Sequence, residues 1–410
     1  MAPHRVVITG IGVISPFGVG GQAFWNGLRT GKNPLAFNEA LKAVIGAVPK
    51  EIDPCLNYSP GQLREMSRGS IFAVVAATEA LEKAGLHEMG ETFHESTSVN
   101  IGMGIADLES ISETGEKCKN GNERKISPYF VPRILTNIPA SYVSLKFKLR
   151  GGNSSTTTAC ATGASSICEA FQAIRYGNTR RAVAGAVESC LSSIAVEGFK
   201  RMRALATSQD NTVSRPFDSK REGFVLSEGA GILVLERLED ALQRNCKIYA
   251  EILGFGMGND AYHLTSPRED GYGSGLCMKR CIEDSKIDSK QIEYVNAHAT
   301  STPVGDKAEA ISIAAFKRGM PVSSIKGHTG HCLAAAGALE TIATALSVRD
   351  GIIIGTKNLK ETDISADIEF ISAKNSPTIE WKSDDRQIAL MNSFGFGGAF
   401  VSLCLAEFRH

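Results

Sequence analysis

Short apolar runs that end at small residues alternate with segments of helical periodicity along most of this chain. The runs at 5–10, 98–104 and 181–186 are typical of buried strands. Strands that alternate with helices predict an α/β fold with a central buried sheet in each half of the chain. Further strands are predicted at 229–236, 247–258, 293–297, 352–355, 387–394 and 399–406, helices at 22–30, 68–84, 192–204, 237–245, 273–284, 306–317 and 332–349, and a solvated polar excursion at 112–127.

The length and charge of the chain limit the classes of protein it can belong to. Its 410 residues are enough for two to three domains, and Lys plus Arg equals Asp plus Glu at 44 each. This balance argues against nucleic acid or a membrane surface as partner, and no apolar run approaches the length of a membrane span. Ten cysteines without a C-x-x-C pair predict neither a disulfide framework nor a zinc site, and indicate a reducing compartment.

A glycine-rich turn follows the first predicted strand. The sequence Gly10-Ile11-Gly12-Val13-Ile14-Ser15 begins like a dinucleotide-binding fingerprint, but Ser15 stands in place of the third glycine. Pro16 then interrupts the helix that the fingerprint requires. The motif therefore does not predict a nucleotide site.

A cysteine lies at the corner between a β-branched run and a helical segment. The run at 154–158 predicts a buried strand that ends at Cys160, and helical periodicity resumes at 166–174. A cysteine at a helix N-terminus has a lowered thiol pKa, and the backbone N–H groups there can hold an oxyanion. The alternative is a small buried cysteine without a catalytic role, and this stretch alone does not separate the two.

Two histidines occupy similar positions at the ends of predicted elements. His298 ends the strand at 294–298, and His331 follows a loop that opens onto an Ala-rich helix. A third stretch, 392–398, is an apolar strand that ends in a loop with three glycines. Two histidines and a cysteine at such ends favour nucleophilic catalysis over a packing role.

With these motifs, the chain resembles a β-ketoacyl-acyl carrier protein synthase of the elongating type, over its whole length. The family's T-A-C motif matches Thr158-Ala159-Cys160, its N-A-H-x-T-S-T-P-x-G-D motif matches 296–306, and its K-x-x-T-G-H motif matches 326–331. R-P-F-D at 215–218 also fits. Ala299 after the histidine resembles the mitochondrial branch. The resemblance implies a location in the mitochondrial matrix for a eukaryotic chain, whose transit peptide is absent here, and in the cytoplasm otherwise.

The resemblance also implies an architecture and a set of partners. It predicts a thiolase-like fold with two similar βαβαβαββ halves in a five-layered αβαβα arrangement, divided into residues 1–253 and 254–410. It implies a homodimer that acts on acyl carrier protein. The phosphopantetheine arm belongs to that carrier, so neither a cofactor nor a metal is expected on the chain itself.

The implied reaction assigns roles to residues of this sequence. Cys160 accepts the acyl group, and the enolate of malonyl-acyl carrier protein, formed by loss of CO2, attacks it to give a 3-oxoacyl product two carbons longer. His298 and His331 donate hydrogen bonds to the malonyl thioester, and Lys326 orders the site through Glu309. The N–H groups of Cys160 and Phe396 form the oxyanion hole, and Phe396 is also the gate for acyl chains. The expected substrate-binding residues are Thr300, Thr302, Thr265, Ile111, Met103, Phe394 and Phe396, whereas His328 and His263 are expected to be structural or on the surface.

The sequence departs from the family pattern at a few positions. The family usually continues Gly-Gly-Thr-Asn, but Gly397-Gly398 are followed here by Ala399-Phe400. Ser227 and Ala334 each stand where glycine is common. No departure removes a catalytic group, but the first lies beside the gating loop and could alter the acyl pocket.

Two other functions remain open within the same fold. A thiolase would need a second catalytic cysteine in the C-terminal part, where Cys404 is predicted to lie on a strand. A non-catalytic partner, such as a chain-length factor, usually loses the nucleophile, whereas Cys160 is present together with both histidines. A synthase is therefore the favoured interpretation.

Overall fold

The computed structural model describes residues 3–87, 90–381, 383 and 385–409, in which strands and helices alternate as predicted. The described strands are β1 Val6–Ser15, β2 Gly18–Val19, β3 Ala36–Asn38, β4 Ala43–Gly46, β5 Thr97–Met103, β6 Asn153–Ser154, β7 Arg181–Glu188, β8 Leu226–Ser227, β9 Gly229–Arg237, β10 Ala250–Gly258, β11 Tyr294–Asn296, β12 Met320–Ser323, β13 Ile352–Ile354, β14 Ile368–Phe370, β15 Thr378–Glu380, β16 Ile388–Gly395 and β17 Ala399–Ala406. The described α-helices are α1 Gly21–Arg29, α2 Pro60–Glu65, α3 Arg68–Lys83, α4 Glu91–Glu95, α5 Leu108–Lys119, α6 Phe130–Ile134, α7 Ile138–Phe147, α8 Thr162–Arg175, α9 Ser193–Arg201, α10 Leu238–Gln243, α11 Tyr272–Ser285, α12 Pro303–Phe316, α13 Lys326–Thr329 and α14 Ala336–Asp350.

The hydrogen-bonded strands show that the two halves of the chain share one topology. In the N-terminal half the order is β1-β9-β7-β5-β6, and in the C-terminal half it is β10-β17-β16-β11-β12-β14. The first two pairings of each series are antiparallel and those that follow are parallel. The halves meet where β1 pairs antiparallel with β10. This duplication is visible in the structure although the sequence shows no repeat.

Alternate residues of the strands face different apolar cores, as a sheet covered on both faces requires. In β9, Leu233 and Leu235 face a central core that also contains residues of α8 and α14. Ile232 and Val234 face an outer core with α3 and α7. The C-terminal strands have a corresponding outer core with α11 and α12. These alternating layers confirm the predicted thiolase-like α/β fold.

The glycines of the rejected dinucleotide motif serve the packing of α3 on β1. A Cβ on Gly10 would lie 2.1 Å from the carbonyl oxygen of Ala80, and one on Gly12 would lie 1.8 Å from that of Ala76. Only glycine permits so close an approach of helix to strand. β1 continues through the motif to Ser15, so this stretch is strand and not a phosphate-binding loop.

The two central helices place the site at the junction of the halves. A Cβ on Gly163 of α8 would lie 2.7 Å from the nitrogen of Ala338 in α14, and one on Gly337 would lie 2.9 Å from the nitrogen of Ala164. The first turns of the two helices are therefore in close contact. Because Cys160 precedes α8 and His331 precedes α14, this contact brings the two residues to one place.

Some predicted elements differ in the structure. The predicted buried strand at 154–158 is wrong, because only the two residues of β6 pair with β5 and the rest forms an irregular connection. Much of the polar excursion at 112–127 lies in the exposed helix α5. The chain passes between the halves after β9 ends at Arg237 and before β10 begins at Ala250, and the division at residue 253 stays a prediction. Among the described helices, none has the length and hydropathy of a membrane-spanning segment.

Candidate active site

A cavity of about 380 Å³ opens at the junction of the two halves. The nucleophile candidate Cys160 and both histidines, His298 and His331, line it together. The cavity therefore brings together residues that are separated by up to about half of the chain. Its walls also contain the predicted residues Glu309, Thr265, Thr300, Thr302, Phe394 and Phe396.

Cys160 lies in a tight 3₁₀ turn, Ala159–Ala161, directly before α8. The side chain of Thr162 holds this turn, since its hydroxyl accepts from the N–H of Thr158 at 2.9 Å and donates to the carbonyl of Ala159 at 2.7 Å. Ala159 has a φ of 49°, in the left-handed region that non-glycine residues rarely adopt. Such strain is found where a fold fixes a functional residue.

The thiol of Cys160 is neutral in this environment. Although the residue is partly accessible from the cavity, desolvation by the surrounding protein raises its pKa to about 12, and the nearby Lys326 cation opposes the rise only in part. Buried carboxyl groups of Glu188 and Glu340 add to the rise. The predicted lowering of the pKa by the helix terminus was therefore wrong, because burial and these carboxylates outweigh it.

The glycine loop after β16 approaches the Cys160 turn closely. A Cβ on Gly395 would lie 2.3 Å from the carbonyl oxygen of Thr158 and 3.3 Å from the nitrogen of Cys160. The hydroxyl of Ser393 also donates to the carbonyl of Cys160, at 3.3 Å. Phe396, the next residue, lines the same cavity as Cys160. An oxyanion hole formed by the N–H groups of Cys160 and Phe396 stays a prediction.

His298 is held from behind by a buried carboxylate. Glu309 of α12 accepts the N–H groups of His298 and Ala299 at 2.9 and 2.8 Å. The amide of Asn392 donates to the same carboxylate at 3.1 Å. Burial raises the pKa of Glu309 to about 7, and these three hydrogen bonds oppose the rise. Glu309 therefore fixes the backbone that carries the imidazole.

Lys326 contacts His298 directly, and its charge also lowers the pKa of Glu309, the residue through which the sequence predicted it to act. Its Nζ donates to the carbonyl of His298 at 2.7 Å and lies 3.4 Å from Nδ1 of the same residue. Its ion-pair partner is Glu340 of α14, and both side chains are buried. Glu340 was missed, although it is the lone charged residue within the apolar segment 333–348, which is the signal that could have found it.

His331 is fixed by its backbone and by two neighbouring rings. Its N–H donates to the carbonyl of Val225 at 2.7 Å, and its carbonyl accepts from the N–H of Ser227 at 3.0 Å. Its ring stands edge-on to Phe224 and to His298, with centroids 5.2 and 5.5 Å apart. Burial, with the charge of Lys326 as a second cause, holds the pKa of both imidazoles well below the ordinary value. Both histidines are therefore neutral at physiological pH.

The turn that carries the predicted pantetheine contacts is organised by a buried aspartate. Asp306 accepts from the N–H groups of Thr300, Ser301 and Thr302, at 2.9 to 3.2 Å. The hydroxyls of the two threonines lie 3.1 Å apart and face the cavity. Two adjacent hydroxyls provide both donors and acceptors for a polar, uncharged chain.

Two loops meet at the mouth of the cavity. The N–H of Gly397 donates to the carbonyl of Leu264 at 2.7 Å, and the amide of Asn259 donates to the carbonyl of Gly397 at 3.0 Å. Gly397 and Gly398 have φ values of 84° and 76°, which favour glycine. Phe396 projects from this loop into the cavity wall, and Thr265 lies on the opposing loop.

Two predicted substrate contacts are not brought into the cavity. Met103 is buried in β5 within the outer core, and Ile111 is 39% exposed on α5. Neither lines the cavity that the described residues form. Of the two histidines that the sequence assigned to a structural or surface role, His328 is buried and its Nε2 lies 2.9 Å from the carbonyl oxygen of Gly355, whereas His263 is exposed at the rim.

Comparisons with known proteins agree with this geometry. Residues 4–241 match the family "Beta-ketoacyl synthase, N-terminal domain", and residues 249–360 match "Beta-ketoacyl synthase, C-terminal domain". A putative mitochondrial 3-oxoacyl-[acyl-carrier-protein] synthase of Schizosaccharomyces pombe is 39% identical, with 98% of this chain and 99% of that protein covered.

Solved structures give the same result. A β-ketoacyl synthase from Burkholderia phymatum superposes with a TM-score of 0.90 at 32% identity, and 99% of this chain and 100% of that chain are covered. A type II polyketide ketosynthase in complex with its acyl-carrier protein superposes with a TM-score of 0.88 at 29% identity, and 99% of this chain and 100% of that chain are covered. The fold and site are thus those of a condensing enzyme built from two duplicated halves. This chain belongs to the β-ketoacyl synthase family.

Proposed function

We propose that the chain is a 3-oxoacyl-[acyl-carrier-protein] synthase that extends fatty acyl chains by two carbons. The observation that carries this proposal is the shared cavity of Cys160, His298 and His331, a thiol with two neutral imidazoles. The full-length similarity to a synthase of this name supports it. The enzyme needs no cofactor of its own, because the phosphopantetheine arm is part of the carrier protein substrate.

The first half-reaction transfers the acyl group to the enzyme. The sulfur of Cys160 attacks the acyl thioester carbon, the bond from that carbon to the pantetheine sulfur breaks, and the pantetheine leaves as a thiol. The proton that it takes comes from Cys160, whose thiol is neutral. The N–H groups of Cys160 and Phe396 stabilise the negative oxygen that forms in between.

The second half-reaction begins with the loss of CO2 from the malonyl group. The electron pair of the broken carbon–carbon bond passes into an enolate, whose negative oxygen needs hydrogen-bond donors. The Nζ of Lys326 is only a donor and lies at Nδ1 of His298, so Nε2 of His298 carries the proton and can donate to that oxygen. His331 stands beside it as the second donor. Neutral imidazoles suit this role because they donate without giving up a proton.

Condensation completes the cycle at the same cysteine. The enolate carbon attacks the carbonyl carbon of acyl-Cys160, a carbon–carbon bond forms, and the bond to the sulfur breaks. The 3-oxoacyl product leaves on the carrier protein, and the thiolate of Cys160 takes up one proton from the solvent to restore the thiol. The oxyanion hole serves both half-reactions, because each passes through a tetrahedral intermediate at the same carbonyl.

The partners of the reaction follow from the surface at the cavity mouth. Arg203 lines the cavity, and the exposed Arg201 ends α9 two residues before it, so these basic groups are suited to an incoming acidic carrier protein. A polyketide ketosynthase of the same fold forms a complex with its acyl-carrier protein. The proposal includes a homodimer, in which the two-residue edge strand β6 offers unpaired backbone groups.

The proposal also covers the location of the protein. The similarity to a mitochondrial relative, together with Ala299 after His298, supports the mitochondrial matrix for a eukaryotic chain, and the cytoplasm applies to a bacterial one. The thiolase alternative has no support in the cavity, because Cys404 is buried in the core on β17 and does not line it.

The function is tested by product analysis. The purified protein is mixed with acyl-acyl carrier protein and malonyl-acyl carrier protein, and the carrier-bound products are identified by mass. The proposal expects a 3-oxoacyl product two carbons longer, together with one CO2 for each product. Absence of this product over a range of acyl lengths would leave the non-catalytic partner as the better explanation.

A further inference from the structure

The hairpin of β16 and β17 carries two phenylalanines directly opposite each other. Phe394 and Phe400 are register partners, and their ring centroids lie 5.0 Å apart at 68°. Phe394 also packs against the imidazole of His298, with centroids 5.4 Å apart and ring planes tilted by 48°. Phe400, Phe394 and His298 therefore form a continuous series of ring contacts, here called the ring column.

Phe400 is fixed at the base of this column. Its side chain is buried in the C-terminal outer core and also reaches the wall of the cavity. On its far side it packs on the bare backbone of Gly273 in α11, where a Cβ would lie 2.5 Å from the ring carbon Cε2. The ring is therefore confined between α11 and Phe394, and it supports Phe394 from behind.

Phe400, the base of the column, is one of the positions where this sequence departs from what its resemblance to the family implies. That resemblance implies Thr-Asn at the place of Ala399-Phe400. An asparagine side chain is shorter and polar, so it cannot fill the volume of a benzyl group between Phe394 and Gly273. The substitution thus adds an aromatic contact two residues away from Gly398, in the strand that follows the gating loop.

We propose that Phe400 is a positioning residue for His298, acts through Phe394, and thereby sets the rate of malonyl decarboxylation rather than of acyl transfer to Cys160. This inference rests on the proposed function. The imidazole of His298 is fixed by Lys326 at Nδ1, by the edge-on ring of His331, and by the tilted ring of Phe394. Removal of Phe400 leaves Phe394 room to shift, so one of these three supports is lost. The turn that carries Cys160 is held instead by the two hydrogen bonds of the Thr162 hydroxyl, to the N–H of Thr158 and the carbonyl of Ala159.

The kinetic test compares the two half-reactions in Phe400 variants. In Phe400→Ala, the kcat for CO2 release from malonyl-acyl carrier protein is expected to fall about tenfold, because small displacements of a catalytic group are costly. The KM for that substrate and the rate of Cys160 acylation should change by less than about twofold, since those contacts remain. Phe400→Leu, which refills most of the volume, should recover most of the rate.

A matched control separates positioning from general loss of packing. Phe370 belongs to the same outer core and forms a similar ring pair with Phe217, at 5.1 Å, but has no contact with His298. Phe370→Ala should destabilise the fold and leave the ratio of decarboxylation to acylation unchanged. Equal loss of both half-reactions in Phe400→Ala, or the same change of ratio in Phe370→Ala, would overturn the inference.

A second readout does not depend on turnover. The proton resonance of the His298 ring is followed by NMR against pH in the wild type, in Phe400→Ala and in Phe400→Leu. The other titratable groups that face this ring are Lys326, His331 and the Glu309 carboxylate beneath its backbone. In Phe400→Ala a displaced resonance and a raised His298 pKa are expected, because the emptied volume admits water, whereas Phe400→Leu should titrate much as the wild type does. An unchanged titration in Phe400→Ala would overturn the inference, even if the proposed function itself had failed in the product assay.

Discussion

Lys326 and Glu340 form an ion pair directly behind His298, and the two side chains are only 2% and 1% exposed. The pair joins the loop before His331 to the central helix α14, and the lysine also binds the backbone of His298. Burial raises the pKa of Glu340 to about 7, and the lysine charge opposes that rise. One buried cation thus holds both catalytic histidines in place and disfavours their protonation.

The first prediction concerns the pH dependence of decarboxylation. The pKa of His298 is held low by burial first and by the Lys326 charge second, so the neutral form persists as the pH falls through 6.5. In the wild type, the rate of CO2 release should be nearly the same at pH 6 and pH 8. Lys326→Met removes the cation, so the pKa of His298 rises. At the ordinary histidine pKa, only about a quarter of the His298 imidazoles would be neutral at pH 6, and the rate of CO2 release there would be about fourfold lower than at pH 8. A variant profile identical to that of the wild type would contradict this.

The second prediction concerns the stability of the buried pair. Glu340→Gln leaves the Lys326 ammonium buried without a counter-charge, and the free energy of unfolding should fall by about 3–5 kcal/mol. Replacement of both residues, as Lys326→Met with Glu340→Leu, should restore most of this loss, because two apolar side chains of similar size need no pairing. Urea unfolding of both variants tests the prediction. A double variant no more stable than the single one would show that the pair is not the cause.

The third prediction concerns the reactivity of the nucleophile. Because burial raises the pKa of Cys160 to about 12, its alkylation by iodoacetamide should speed up about tenfold for each pH unit between 7 and 9, in step with the thiolate fraction. Peptide mass analysis follows the modification site by site, with the exposed Cys118 as an internal control for the reagent. A rate that is already at its plateau at pH 7 would mean that the thiolate forms at neutral pH and that the helix terminus outweighs burial.

The fourth prediction concerns the close approach of the glycine loop to the Cys160 turn. In Gly395→Ala the new Cβ would meet the carbonyl of Thr158 at 2.3 Å, so the loop must move away and the Phe396 N–H leaves the oxyanion hole. Loss of one such donor costs about 100-fold in rate, and acylation of Cys160 should fall by that order. Gly198→Ala is the matched control, because a Cβ there meets open space on α9. If Gly395→Ala were acylated at the normal rate, the Phe396 N–H could not be a donor of the oxyanion hole.

Much of the fold could be predicted because its signals are local. Apolar runs such as those of β1 and β17 are buried on both faces, and their hydrophobicity is visible without knowledge of their neighbours. The run at 154–158 misled because β-branched residues also suit an irregular connection: Thr156, for example, is held there by a hydrogen bond to Glu169. The duplication of topology was predicted only through the resemblance to a known family, because strand order depends on contacts between distant segments that the residues themselves do not show.

The candidate site was predicted from motifs. The wrong predictions concern residues whose role depends on contacts with distant parts of the chain. Lys326 was identified, but its partner depends on the packing of α13 against α14, so Glu309 was chosen in place of Glu340. The direction of the Cys160 pKa depends on burial by distant residues, which a strand-to-helix pattern does not show. Met103 and Ile111 were assigned to the substrate pocket, and the structure places them in a core and on an exposed helix.

The central claim is that Cys160 carries the acyl group between the two half-reactions. Intact-protein mass measured after addition of a medium-chain acyl-acyl carrier protein, and again after malonyl-acyl carrier protein, tests it most directly. The account predicts that the wild type gains one acyl group, loses it on the second addition as the 3-oxoacyl product forms, and that Cys160→Ala gains none. Acyl transfer to Cys160→Ala, or product formation by that variant, would contradict the account.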